Sequence, residues 1–138
     1  MIDHKAFTIN IPSESLVDEV DYFGIASGKN VDKLLATGMI AIGSDIVDAP
    51  YCENFPMILE CKLIKTVEIG SHTQFIGEIL DIKVNQEMLT SEGLPDIEKI
   101  KPMFYSHPER AYFGIGKYLG KAFSVGNAFK PVNRQIKL

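Results

Sequence analysis

The chain has 138 residues, 46% of them apolar and 23% charged, the balance of one ordinary globular domain rather than of a disordered chain. Its net charge of −4 lacks the basic excess of a general nucleic-acid binder, so that class is set aside. No apolar run approaches the roughly 18 residues that a membrane span needs, and Met1–Lys5 begins no secretory signal. The expectation is a cytoplasmic domain with no membrane partner.

In chain order, Phe7–Ile11 alternates large apolar and polar residues and predicts a half-buried strand, stopped at Pro12. Ser13 and Ser15 offer N-cap oxygens, and Leu16, Val17, Val20 and Phe23 recur at helical spacing, so a short amphipathic helix is expected over 14–23. Gly24 and Gly28 are expected to break it, and Val31–Leu35 to add one more helical turn before Gly38.

The middle reads as β structure. Met57–Ile69 carries Met57, Leu59, Cys61, Leu63, Val67 and Ile69 on one face and Glu60, Lys62, Thr66 and Glu68 on the other, the pattern of a long antiparallel strand with one wet side. After the turn pair Gly70-Ser71, His72–Val84 runs back with apolar residues on both sides, which makes a hairpin suited to a sheet curling into a barrel. Beyond it a helical turn is expected within 86–92, an irregular stretch at 97–102 and a last strand at 112–115. A C-terminal arm without its own core is expected over 127–138, after a domain spanning 1–126. Cys52 and Cys61 form no disulfide framework and lack the second close pair of a zinc site; they read as two small semi-buried thiols.

Three stretches carry candidate chemistry. Asp21–Lys33 gathers a hydroxyl, glycines, two lysines and an aspartate after a helix; glycine lets backbone N–H groups approach an anion or a flat ring, and lysine supplies a point charge. The same composition also describes a solvated turn. His72, in the hairpin turn, offers an imidazole to a ligand amide or phosphate, or caps the turn. The aromatics of 105–123 can stack on a planar ligand or fill a core. No phosphate-binding loop, dinucleotide fingerprint, zinc-protease motif or nucleophile elbow is present.

Several motifs in order resemble the flavin reductase-like family, and within it the flavoredoxin type: Phe7-Thr-Ile-Asn-Ile-Pro12, then Asp21-Tyr-Phe-Gly24, Ser27-Gly28 with Asp32-Lys33, Leu59-Glu-Cys-Lys62, Gly70-Ser-His-Thr-Gln-Phe-Ile-Gly-Glu-Ile79 and Gly116-Lys-Tyr-Leu-Gly-Lys-Ala-Phe-Ser124. The resemblance implies a mainly β split barrel with short helices, FMN held non-covalently near the interface of a homodimer, and electrons passed between a reduced donor such as NAD(P)H and an acceptor. It places Asn10 and Ser13 at a strand end beside the cofactor, Ser27, Gly28 and Lys33 in the cofactor-contact turn with Asp32 orienting, and His72 at the nicotinamide site. Ser71 stands where related reductases carry aspartate, and Asn127 follows Gly126 where they tend to carry lysine. Relatives begin about 50 residues earlier, so the resemblance describes a barrel shortened at its N-terminus, with open strand edges and less of the phosphate cradle. Its alternative is a non-catalytic split-barrel dimer that has lost tight flavin binding.

Overall fold

A computed structural model describes residues 1–129. The expected first strand is present as β1 (Ala6–Ile11). A 3-10 turn at Glu14–Leu16 leads into α1 (Val17–Ile25), which runs through Gly24 rather than breaking there. Neither Ser13 nor Ser15 caps it with a side-chain oxygen; Ser13 contributes its backbone carbonyl, which accepts from Leu16 N at 3.0 Å. The next helix, α2 (Lys33–Thr37), is capped at its start by Asp32, whose Oδ1 accepts from Leu35 N. Gly38 closes it at φ 68°, the left-handed conformation that glycine adopts without strain.

Two three-residue strands, β2 (Ala41–Gly43) and β3 (Pro50–Cys52), pair antiparallel and had no periodicity to announce them. The hairpin follows with the bounds read from its alternation, β4 (Met57–Ile69) and β5 (His72–Val84). A 3-10 turn at Gln86–Met88, a short helix α3 (Ile97–Ile100) in the stretch expected to be irregular, a small hairpin of β6 (Met103–Ser106) and β7 (Ala111–Gly114), and a 3-10 turn at Val125–Ala128 follow among the described residues. Of the expected arm, residues 130–138 lie outside the described residues.

The main sheet has the order β1-β4-β5, all antiparallel, and the three sheets are not closed into one barrel. Bulges at Glu60/Cys61 and Leu63/Lys65 shift the hairpin register, which bends and twists the pair. Registration sorts the central sheet into two unlike faces. One face has the rows Ile11, Met57, Val84; Ile9, Leu59, Ile82; and Phe7, Cys61, Ile79, every member apolar. The opposite face has the rows Asn10, Ile58, Lys83; Thr8, Glu60, Asp81; and Ala6, Lys62, Glu78.

The chain covers the part of the polar face around Glu60. Thr8 Oγ1 donates to Pro50 O at 2.6 Å, Cys52 N donates to Asn10 Oδ1 at 2.8 Å, and Lys83 lies over the Tyr51 ring at 5.9 Å. Under this cover Glu60 is fully buried, which corrects its placement on the wet side; Lys62, Thr66 and Glu68 are exposed as expected. A charge out of water needs a partner. Its Oε2 lies 2.9 Å from Lys83 Nζ, with the geometry of an ion pair rather than a directed hydrogen bond, and Oε1 has no hydrogen-bond partner among the described residues.

Candidate functional site

The end of β1, helix α1 and the turn after it bring together most of the residues singled out above. Helix α1 leaves C-terminal carbonyls without intrahelical donors. Ala26 N takes the carbonyl of Tyr22 at 2.9 Å, and Lys33 Nζ takes that of Phe23 at 2.7 Å. The ammonium also sits 5.8 Å from the Phe23 ring centroid, and a cation at a helix C-terminus is favourable. Lys33 therefore ties the turn to the helix with one N–H and retains two others. Ser27 O accepts from Asn30 N and Val31 N at 3.0 and 3.2 Å, and its Oγ accepts from Lys29 N at 3.4 Å. The turn so fastened borders an open cavity of about 600 Å³ running from Gly28 to Leu34. A Cβ on Gly28 would reach only Lys33 Cε, at 4.0 Å, so this glycine is not held by crowding.

Asn10 faces a second, smaller cavity of about 320 Å³, walled by Val20, Phe23, Cys52 and Phe55. Its side chain is a brace between strands: Oδ1 accepts from Cys52 N, and Nδ2 donates to Thr8 Oγ1 at 3.0 Å. Phe23 walls the apolar cavity alone, and its carbonyl accepts from Lys33, which lines the polar one. Ser13 lies at the same end of the sheet, bridged to Pro102.

His72 is not part of this cluster within one chain. It pairs with Ile69 at the far end of the hairpin, whereas Asn10 pairs with Ile58. Eleven residues along an antiparallel strand are about 36 Å. At the tip the imidazole is exposed and its Nδ1 is 2.9 Å from Ser71 Oγ.

Other features were not anticipated. A cavity of about 750 Å³ lies between Phe7, Thr8 and Phe75 and the loop from Gly43 to Pro50, with His4 Nδ1 and Asp48 Oδ2 paired at 2.7 Å in its lining. No local signal joins residues 44 positions apart. Tyr112 OH donates to Asp21 Oδ1 at 3.1 Å and so ties β7 to α1. Partial desolvation, then this bond, raises the phenol pKa. The Cys61 thiol is pushed up by burial. The ammonium of Lys83 is held protonated above its ordinary 10.5 first by its bond to Glu60, with Asp81 adding to the effect and burial opposing it.

Chemically, the turn presents a hydroxyl, an amide and two ammonium groups next to a slot with aromatic walls. This donor set suits an anionic group such as a phosphate, and the apolar cavity a flat ring; the link between the two is the bond from Lys33 to Phe23 O.

The model of the flavin reductase-like domain matches residues 1–114, and the chain belongs to that family. Within the family it is of the flavoredoxin type: it is 47% identical to the flavoredoxin of Desulfovibrio vulgaris (Miyazaki F), covering 91% of this chain and 67% of that one, with a TM-score of 0.85. A putative flavin reductase with a split barrel domain from Shewanella frigidimarina superposes at a TM-score of 0.70 with 21% identity, over 85% of this chain and 60% of that one, so the fold is a split barrel. An uncharacterized protein of Archaeoglobus fulgidus is 32% identical over 91 residues, which are 66% of this chain and 50% of that protein. The chain spans about half the length of this curated relative.

Proposed function

We propose that the chain is a flavoprotein that binds FMN without a covalent bond and passes electrons between a reduced donor, such as NAD(P)H, and an acceptor, working as a cytoplasmic homodimer. The observation that carries this reading is the polar turn Ser27–Lys33, tied by the Lys33 bond to Phe23 O to the wall of an apolar cavity, in a chain similar to a flavoredoxin. When bound, the flavin supplies the redox chemistry. The protein's part is to hold, orient and shield. Ser27, Asn30 and the free N–H groups of Lys33 take the anionic end, with Gly28 leaving room for it. Asp32 fixes the first turn of α2 and so the direction from which Lys33 approaches. Asn10 keeps β3 against β1, and Ser13 holds the other end of the same wall, while Phe23 and Phe55 exclude water. His72 meets the nicotinamide as a hydrogen-bond donor; because it stands about 36 Å along the hairpin from Asn10, it serves the site of a second copy rather than its own.

A spectrum of the purified protein tests the reading. Absorbance near 450 nm, a general flavin property at about that wavelength, or its appearance on titration with FMN, is the expected result. Removing the hydroxyl in Ser27→Ala deletes one hydrogen bond to a charged group, about 1.5–3 kcal/mol or roughly 10- to 150-fold in affinity. A colourless protein that takes up neither FMN, FAD nor riboflavin supports the alternative, a split-barrel dimer without tight flavin binding. The occupied state of Lys33, already donating to Phe23 O, is the observation in favour of that alternative.

A further inference from the structure

Helix α1 serves the candidate site twice over. The side chains of Val20 and Phe23 wall the apolar cavity, and the Phe23 carbonyl accepts from Lys33 of the polar turn. Yet none of its nine residues is fully buried, so core packing does not by itself fix the rotation of the helix. Hydrogen bonds have to set it. The segment just before the helix is held by the chain entering β6: Ser13 bridges to Pro102, Glu14 N donates to Lys101 O at 2.8 Å, and Lys101 Nζ lies 3.3 Å from Glu14 Oε1. The helix proper receives one side-chain bond from a strand among the described residues, Tyr112 OH to Asp21 Oδ1 at 3.1 Å.

We infer that Tyr112 of β7 is a positioning residue for the proposed flavin site, acting through Asp21 to fix the rotation of α1 and with it the cavity wall. The inference rests on the reading above for what the site holds, and on geometry alone for what sets the helix. A helix turns about 100° per residue, so Asp21 stands about 130° around α1 from the midline of Val20 and Phe23. Tyr112 therefore grips the helix on the side away from the cavity, where a bond resists rotation without occupying the slot. The phenol is itself steadied: β6 and β7 pair Tyr105 with Tyr112, and the two rings lie 5.4 Å apart. With Lys33 fastened to the C-terminal end, α1 is held at its middle and its end.

The test reads the wall first without flavin, through Cys52, which is half-buried and lines the same cavity as Val20 and Phe23. The whole chain is treated with iodoacetamide, and the alkylated cysteine is identified by mass spectrometry. Tyr112→Phe, which removes only the hydroxyl, is expected to speed alkylation of Cys52 roughly two- to twelvefold, the range of one ordinary hydrogen bond. Asp21→Ala is expected to act alike, and the two together to be no faster than either alone. Asp21→Asn retains an acceptor oxygen and is expected to keep the parent rate. Gly77→Ala, which crowds Phe7 and Cys61 and lowers stability away from α1, is expected to keep it too. In protein that takes up FMN, Tyr112→Phe is expected to weaken the uptake by a similar factor. Unaltered alkylation in both Tyr112→Phe and Asp21→Ala, an equal acceleration in Gly77→Ala or Asp21→Asn, or FMN affinity indifferent to Tyr112→Phe overturns the inference. A protein that takes up no flavin yet shows the Cys52 pattern would sink the flavin reading and leave Tyr112 as the residue that sets this wall.

Discussion

Lys83 holds the only cation placed against the buried Glu60 carboxylate among the described residues, and the pH dependence of stability should show it. Its pKa is raised in the folded protein, so the folded state holds this proton more tightly than the unfolded chain. That contribution is complete below the ordinary value of 10.5 and fades as pH climbs through the folded value. The raised Tyr112 phenol drains stability in the same direction, so the measurement belongs in a Tyr112→Phe background. There, Lys83→Met is expected to flatten the alkaline limb of a denaturation series. At neutral pH it should cost about 3 kcal/mol, the low end for orphaning a buried charge because the Lys83 side chain is 33% exposed. A variant with the same alkaline slope as its parent would show that the pair is not coupled to folding. The cysteines give a simpler reading. Cys61 is 1% exposed with its thiol pushed up, and Cys52 is half-buried. A thiol reagent is expected to modify Cys52 in the native protein and Cys61 only after unfolding.

At the scale of elements, Gly77 shows how tightly the apolar face is fitted. A Cβ there would fall 2.5 Å from Phe7 Cζ and 3.2 Å from Cys61 Cβ. The ring can swing, but the Cys61 backbone position cannot. Gly77→Ala is expected to destabilise the protein by about 1–3 kcal/mol, the range for overpacking, read as a lower denaturation midpoint; the paired Phe7→Leu, Gly77→Ala variant should recover part of it. The long strands were legible because 13 residues of alternation leave little ambiguity of period. β2 and β3 were not, since three residues hold no period, and β6 begins directly after Pro102. That blind spot misplaced Glu60: its strand alternates as if that face met water, and only β3, an invisible element, shows otherwise. The turn at 27–33 announced itself through glycine, serine and lysine in sequence. The engagement of Lys33 by Phe23 O did not, because it joins the end of one helix to the start of the next.

For the whole molecule, the homodimer of the proposed function links stability to concentration. Binding that favours the folded form raises the melting temperature by mass action. The midpoint of thermal unfolding is expected to rise between about 2 and 200 µM, by about 2.7 kcal/mol of added stability for a hundredfold excess over the dissociation constant. Calorimetry at several concentrations checks this, and a midpoint that stays fixed for the unmodified chain argues against the link. The separation of His72 from Asn10 belongs to the same scale: no rearrangement confined to one rigid hairpin closes a distance of about 36 Å.

The hairpin also sets an order of events in time. β4 and β5 are joined by two residues, Gly70 and Ser71, with Gly70 at φ 57° suited to the reversal. β1 meets β4 only after the chain has crossed positions 12–56. Closing the short loop costs far less chain entropy than closing the long one, so pairing propagates from the tip before β1 is captured. Ile9→Val, on the late strand, is then expected to act mainly on the unfolding rate, while a substitution that weakens the turn, Gly70→Ala, slows folding itself. Stopped-flow refolding of the two variants separates them, and a slower folding arm for Ile9→Val alone would place β1 in the nucleus instead.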